Sequence, residues 1–565
     1  MSESISETIS DIVQQDLHEQ VDHLIKVGVA LSSEKDTTKL LEQILFAAQQ
    51  LTHADGGTIY SVTEDNQLKF ETLINHTLNM YMGGTSGQAI PFPNIPLQIE
   101  GQANLNALVA FAANKDLVVN IPDAYQPFDG FDMTAAREMD KKIGYRTQSV
   151  LTIPMKNHEG ELNGVLQLIN AQKVQANGEC EIIPFSPEIQ RLVDSLASQA
   201  AVALTNRQLI DDMQTLFQSF TKLIAQAIDE KSPYTGGHCR RVPEITMLLA
   251  QAVNQVDYGP LSEFSMTDKD MYELNIAAWL HDCGKVGTPE YVMDKATKLE
   301  TIADRIHLVE SRFEIYKRDV QLDYQQQIIE ALHANKQAYA QELQQQLNAK
   351  LADLNDDFEF LRKANIGGEF MSPEDQKRVE EIGHQAEVNI GGQQQNLLSD
   401  DEIYNLQIAR GTLNNEERSI INRHIEITID MLEALPFPKH LRRVPEYAGG
   451  HHEKMDGTGY PRQLTREQMS VPARMMAIAD IFEALTAADR PYKPAKSLSQ
   501  CLKILGFMKK DNHIDPDLFD IFVDSGIYKV FAKEFLNPEQ IDEVDLDKIP
   551  GYVRPELRYQ SKAVT

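Results

Sequence analysis

Two adjacent histidines, His451 and His452, run into a glutamate and a glycine-rich turn in HHEKMDGTGYP. His238 in SPYTGGHCRRV, His281 and Asp282 in AAWLHDCGK, His424 in INRHIEITID and Asp480 in MMAIADIFEAL also stand in otherwise apolar helical segments. An ionised Asp buried without a partner costs several kcal/mol or changes its protonation. One such Asp reads as a helix cap or a surface group, and one such His as a satisfied core residue. Five His and two Asp in this setting read together as metal ligands. Imidazole and carboxylate suit Mn, Fe or Zn, and a bridging carboxylate suits two metals. Two such ions about 3.5–4 Å apart lower the pKa of a bridging water and neutralise the oxygens of a phosphodiester. Neighbouring residues on a helix point about 100° apart. His451 and His452 are therefore expected at a helix end, with Gly449 and Gly450 just before them.

Helices must bring these groups together. From about 230 to 300 and from about 405 to 530 the pattern is strongly helical. Between them, LDYQQQIIEALHANKQAYAQELQQQLNAKLADLNDDFEFLRKA reads as one long helix or a helical hairpin, and Ser372 and Pro373 start another helix. Towards the N-terminus, GGTIYSVTEDNQLKFETLI and SVLTIPMKNHEGELNGVLQLIN each read as two strands around a polar turn. Helices packed on an antiparallel sheet follow. Over 186 to 230 a long amphipathic helix is expected. Leu192, Leu196, Ala203, Ile210, Met213, Phe217, Phe220, Ile224 and Ala227 track its three-and-four spacing, and it could pair with its copy or fold back within the chain.

The expected architecture is multidomain. It comprises an acidic tail (1–19), an α+β domain with an antiparallel sheet (20–185), a linker helix (186–230), an all-α domain (231–530) with a helical insertion (301–405), and a C-terminal extension (531–565). The 565-residue length fits several domains. Its four Cys, at 180, 239, 283 and 501, form no CxxC pair, which predicts a reducing, cytoplasmic setting. The acidic N-terminus does not read as a secretory signal, and no run of 18 apolar residues predicts a membrane span. A formal charge of −31 argues against nucleic-acid polymers and anionic membranes as partners. A small anion could enter only a cleft whose local charge is reversed.

VVNIPDAY, FDGFD, DKKIGYRTQSVLTIPM and GVLQLIN, in this order, resemble the GAF family of small-molecule sensor domains. GAF domains of cyclic-nucleotide phosphodiesterases carry an Asn-Lys pair and a terminal acidic pair. Here NAQK interrupts the first, and FSPEIQ offers only Glu188 for the second. An unidentified small-molecule ligand, or none, is implied. HDCGK, HHE, GTGYP and ADIFEALTAADRPYK together resemble the HD-GYP family of metal-dependent phosphohydrolases. That resemblance implies hydrolysis of cyclic dinucleotides, chiefly cyclic di-GMP, to linear pGpG or GMP by a hydroxide activated between two divalent ions, Fe or Mn. His238, His281, Asp282 and Asp480 would hold one ion. Asp282 would bridge to a second, held by His424, His451 and His452. Tyr234 stands where three-metal members carry Glu, so two ions are expected. Asp282 and Lys285 would be catalytic, and Lys285, Arg490 and Lys493 would face the phosphates. Gly459, Tyr460 and Pro461 would form either a pocket rim or a plain turn, and Glu453 either orients a ligand His or makes a surface salt bridge. A homodimer through the sensor domain and linker helix is expected. Two alternatives stand beside hydrolysis of cyclic di-GMP: a catalytically silent binding module, and an enzyme for another substrate such as cyclic GMP-AMP.

Overall fold

The computed structural model describes residues 25–30, 33–128, 130–175, 179–231, 237–368, 370–488, 495–554 and 558. The chain divides into two compact units, Met1–Leu216 and Phe217–Thr565.

The first unit is an antiparallel sheet with helices. Its labelled elements are α1 (Thr37–Thr52), β1 (Ala54–Val62), β2 (Gln67–Asn75), β3 (Met80–Gly83), β4 (Ile95–Pro96), α2 (Leu108–Lys115), β5 (Val119–Ile121), α3 (Thr134–Ile143), β6 (Val150–Lys156), β7 (Leu162–Val174) and β8 (Cys180–Ile183). The sheet order is β3-β2-β1-β7-β6-β5, with β8 on β7 and β4 on β2. Side chains alternate across a strand. Leu166 and Leu168 of β7 accordingly join one apolar cluster with α1, and Val165 joins another. Asp36 caps α1 by accepting from the amides of Thr38 and Lys39. The two expected strand pairs are present as β1–β2 and β6–β7.

One helix, α4 (Pro187–Lys231), follows. Its N-terminal part buries Val193, Leu196, Ala197, Ala200 and Leu204 in the core of the first unit. Leu196 therefore does not share an exposed stripe with Met213 and Phe220 as the spacing predicted. The exposed stripe runs instead through Val202, Leu209, Met213, Leu216, Phe220 and Leu223. Three-and-four spacing fits two faces of so long a helix, and the sheet claims one of them.

The second unit is predominantly helical: α5 (His238–Asn254), α6 (Asp268–Leu280), α7 (Ile306–His333), α8 (Gln337–Ile366), α9 (Pro373–His384), α10 (Asp400–Leu406), α11 (His424–Glu433), α12 (Val444–Gly449), α13 (Val471–Thr486), α14 (Leu498–Lys510), α15 (Pro516–Asp524) and α16 (Ile527–Phe535) are its main helices. Val242 and Leu249 of α5, Leu274 of α6, Phe482 of α13 and Phe522 of α15 share one core. The segment between the HDCGK and second His motifs builds a separate core from Val309, Phe313, Leu354, Leu361, Ile382 and Leu398. Within it α7 and α8 form the hairpin alternative, broken at 334–336. Ser372 caps α9 as expected. A two-stranded ribbon, Glu387–Ile390 with Gln393–Asn396, was not foreseen in this helical stretch. Its strands are four residues each, and the alternation of Val388 and Ile390 is too short to stand out beside the Gln-rich partner. Among the described residues no helix is long and apolar enough to cross a membrane.

Lys298 is 1% exposed and donates to the carbonyl of Leu406 at 2.8 Å. Burial pushes its ammonium down to about 8. Between pH 8 and 10.5 the unfolded chain then holds a proton at this position that the folded chain lacks, so rising pH favours the fold through Lys298. The melting temperature of wild type relative to Lys298→Met should increase across this interval in scanning calorimetry. A constant difference would show that the buried amine does not titrate there.

Candidate metal centre

The side chains singled out in the sequence converge from five places in the second unit. His238 is the first residue of α5, and His281 follows the last residue of α6. Asp282 opens the tight turn that comes next. His424 begins α11, and Asp480 projects from α13. His451 and His452 stand just past α12, at the helix end the sequence predicted.

Asp282 lies at the centre and is 2% exposed. Its Oδ2 is 3.2 Å from His238 Nε2 and 3.3 Å from His281 Nε2, while its Oδ1 is 3.2 Å from His424 Nε2. Asp480 Oδ1 is 3.3 Å from His238 Nε2 and 3.7 Å from His281 Nε2. His238, His281 and Asp282 make one group able to hold a metal ion, and His424, His451 and His452 make another. The two groups adjoin, since the rings of His281 and His451 are 4.9 Å apart.

Backbone acceptors aim the rings. Nδ1 of His281, His424 and His451 lies 2.8, 2.5 and 2.6 Å from the carbonyls of Ala278, Ile421 and Ala448, each three residues earlier. A carbonyl only accepts, so each Nδ1 carries a proton and each Nε2 is the nitrogen left to face the cluster. His238 meets the same requirement through a carboxylate, with Nδ1 bonded to Glu483. Arg241 Nε holds the other oxygen of Glu483 at 2.6 Å. Glu483 and Arg241 were missed in the sequence. The available signal was position, because Glu483 lies one helical turn after Asp480 and so faces the same side.

Among the described residues, three polar atoms here are buried and make no hydrogen bond: Asp282 Oδ1, His424 Nε2 and His451 Nε2. Leaving such atoms unpaired costs about 1–3 kcal/mol each, and cations between them remove that cost. Burial holds His451 well below the usual imidazole range and pushes His452 down to about 4, so both are neutral donors. Burial raises the Asp282 carboxyl, but the Lys285 ammonium and neighbouring imidazoles outweigh it and hold Asp282 well below the usual carboxylate range. The donor set of five neutral-capable imidazoles and two carboxylates fits divalent first-row metals.

The remaining predicted residues divide. Lys285 Nζ lies 2.5 Å from Asp282 Oδ2, so its ammonium is engaged with the central carboxylate. Tyr460 stacks on His452 with ring centroids 4.9 Å apart. Glu453 neither orients a His nor makes a surface salt bridge. It is buried and accepts the amides of Arg462 at 2.7 Å and Leu464 at 3.0 Å, which pins the turn. Gly459 is required there, because a Cβ would lie 2.4 Å from the amide nitrogen of Lys454. Pro461 follows Tyr460 through a cis peptide bond. Burial pushes the Cys283 thiol up to about 11, in keeping with a packing residue. Arg490, Lys493 and Tyr234 lie outside the described residues.

Comparison with known proteins agrees with this division of the chain. A GAF domain model matches residues 36–204, and HD domain models match 235–361 and 399–518. A 3'3'-cGAMP-specific phosphodiesterase of Vibrio cholerae is 39% identical over 113 residues, 20% of this chain and 25% of that protein. A cyclic di-GMP phosphodiesterase of Pseudomonas aeruginosa is 37% identical over 123 residues, 22% of this chain and 28% of that protein. The chain thus spans about a quarter of the length of these curated relatives. A dual 3',5'-cyclic-AMP and -GMP phosphodiesterase of Takifugu rubripes is 26% identical over 195 residues, 34% of this chain and 19% of that protein. HD domains form a metal-dependent family, and this chain joins an N-terminal GAF domain to an HD domain.

Proposed function

We propose that the chain is a metal-dependent phosphodiesterase of the HD-GYP branch that hydrolyses a cyclic dinucleotide, with cyclic di-GMP as the substrate and linear pGpG, or GMP after a second cut, as product. One observation carries the proposal: Asp282 turns Oδ2 to one His pair and Oδ1 to His424, in a pocket where Asp282 Oδ1, His424 Nε2 and His451 Nε2 are buried and unpaired among the described residues. His238, His281, Asp282 and Asp480 are assigned to one divalent ion, and His424, His451, His452 and Asp282 to the other. Bound there, Fe or Mn ions supply a nucleophile from water at neutral pH and neutralise phosphoryl oxygens. The chain's own residues do the rest. Carbonyl and Glu483 anchors keep the rings of His238, His281, His424 and His451 aimed without reorganisation. Lys285, held against Asp282 and partly exposed, supplies the nearest fixed positive charge to an incoming phosphate. Tyr460 walls the pocket beside His452.

A cyclic GMP-AMP substrate is the second assignment, because relatives specific for 3'3'-cGAMP match at 39% and 40% identity beside those acting on cyclic di-GMP. Anaerobically purified protein is expected to carry about two metal ions per chain and to cleave cyclic di-GMP in chromatographic product analysis. His281→Ala and Asp282→Ala should lose both metal and turnover. Full turnover in either variant would remove the assigned centre, and cleavage of cyclic GMP-AMP alone would move the substrate.

The GAF domain is proposed to sense a small molecule and to act through α4. A cavity of about 470 Å³ opens between the sheet and α2 and α3, walled by Tyr60, Phe70, Phe92, Phe131, Met80 and Met139. Among the described residues no Lys or Arg lines it, and its two carboxylates are engaged, Asp140 by Thr147 and Tyr125 and Asp132 by Thr134. Such a wall suits an uncharged ring-bearing ligand and offers nothing to a phosphate. Calorimetry with cyclic AMP and cyclic GMP at millimolar concentration should register no binding to this domain. Saturable binding of either would overturn the ligand class.

The exposed stripe of α4 is proposed to pair with its copy in a parallel dimer. Steps of four and three connect Asn206, Leu209, Met213, Leu216, Phe220 and Leu223, all exposed. That is a heptad seam, with one polar residue of the kind that fixes register. Leu209→Glu combined with Leu216→Glu should turn a dimeric protein monomeric in light scattering at micromolar concentration. A wild-type monomer under the same conditions would refute the pairing.

A further inference from the structure

The final turn of α4 reaches into the machinery on both sides of the ligand cluster. Asp229 Oδ2 accepts the amide of Gly237 at 3.1 Å, and its Oδ1 accepts the amide of Cys239 at 3.3 Å. These two amides bracket His238. Lys231, two residues after Asp229, places Nζ 3.2, 2.6 and 2.7 Å from the carbonyls of Lys285, Val286 and Thr288. An ammonium has three hydrogens, and all three are used on the turn that follows Asp282.

A helix-terminal lysine ordinarily interacts with the last carbonyls of its own helix. Lys231 instead bonds carbonyls 54 to 57 residues away in the chain. The opposite side of the same turn is closed by α11. The Gly284 amide donates to Thr428 Oγ1 at 2.9 Å, and a Cβ on Gly284 would lie 1.9 Å from the His424 carbonyl oxygen. The turn is therefore clamped between Lys231 and the helix that carries His424. Meanwhile Asp229, on the same helical turn as Lys231, fixes the start of α5. His238 Nε2 and Asp282 Oδ2 meet at 3.2 Å only if these two segments keep their spacing.

Given the metal centre proposed above, we infer that Asp229 and Lys231 are positioning residues of that centre. The last turn of α4 acts as a clasp that sets His238 against Asp282 and Lys285. Neither residue touches the ligand atoms. Each acts through backbone groups, Asp229 on the amides flanking His238 and Lys231 on the carbonyls following Asp282.

The test is Mn(II) affinity of the full chain, read by electron paramagnetic resonance of free Mn(II), in wild type, Lys231→Met, Lys231→Arg and Asp229→Asn. Lys231→Met and Asp229→Asn should weaken Mn(II) binding about 10- to 100-fold, the range for outer partners of metal ligands. Lys231→Arg, which keeps a charged donor, should recover most of that loss. A purely architectural lysine would lower the melting temperature and leave the affinity where it was. Wild-type affinity in folded Lys231→Met and Asp229→Asn overturns the inference, and if Lys231→Met does not fold, Asp229→Asn decides alone. Wild-type protein that binds no Mn(II) would instead remove the metal centre. Hydrogen exchange of the amides over 283–288 then decides for the clasp: it should accelerate in the Lys231 and Asp229 variants, and unchanged exchange overturns the inference.

Discussion

A carboxylate with both oxygens buried among imidazoles is the constraint on which the second unit is built. Removing the Asp282 charge from water costs several kcal/mol unless positive charge comes with it. Lys285 provides part of that charge through one oxygen. The other oxygen has no hydrogen-bond donor among the described residues. His424 and His451 supply no donor to it, because their Nδ1 protons are spent on carbonyls and their Nε2 atoms are unpaired among the described residues. Lone pairs facing a carboxylate repel it. A site of this kind is stable as a set only around cations, and the helix ends that carry it must be held firmly enough to resist spreading apart.

The anchors explain why the ligands occupy helix ends. A His just beyond a helix, or at its first turn, finds a carbonyl three residues back at hydrogen-bond distance from Nδ1. The same arrangement recurs at His281, His424 and His451. His238 begins its helix after a glycine with φ of 84°, and a carboxylate from α13 takes the place of the carbonyl. Two residues of one helix, Asp480 and Glu483, thus address the two sides of one imidazole.

Much of this was legible in the sequence because ligand types sit in local motifs. HDCGK, HHE and the Asp of MMAIAD announce themselves by placing charge where apolar periodicity runs, and the strand pairs of the first unit announce themselves by alternation. The remainder depends on partners remote in the chain. Glu483 acquires its task only when α13 packs against α5, 245 residues earlier. Lys231 reads as an ordinary helix-ending lysine until the 285–288 carbonyls are brought to it. Glu453 reads as a companion to His452, yet its oxygens serve amides nine and eleven residues ahead. Backbone groups leave no mark in a sequence, so residues that serve them are invisible there. The seam of α4 failed for a different reason. Two apolar stripes of similar spacing lie on one helix, and only the sheet decides which of them is covered.

The net charge of −31 turns these local arrangements into a condition on function. A doubly charged phosphodiester ring approaching so acidic a chain meets repulsion until it is within a Debye length, about 8 Å at physiological ionic strength, of a cationic site. Among the described residues of the cluster, the carboxylates of Asp282, Asp480 and Glu483 outnumber the fixed cations of Lys285 and Arg241. Those fixed charges alone give the described part of the cluster the wrong sign for a phosphate. Two divalent cations would reverse that sign, and would do so at the atoms left unpaired. Ions that satisfied the buried lone pairs would thereby make the pocket attractive to an anion, so the stability of such a centre and its affinity for a phosphate would have one origin.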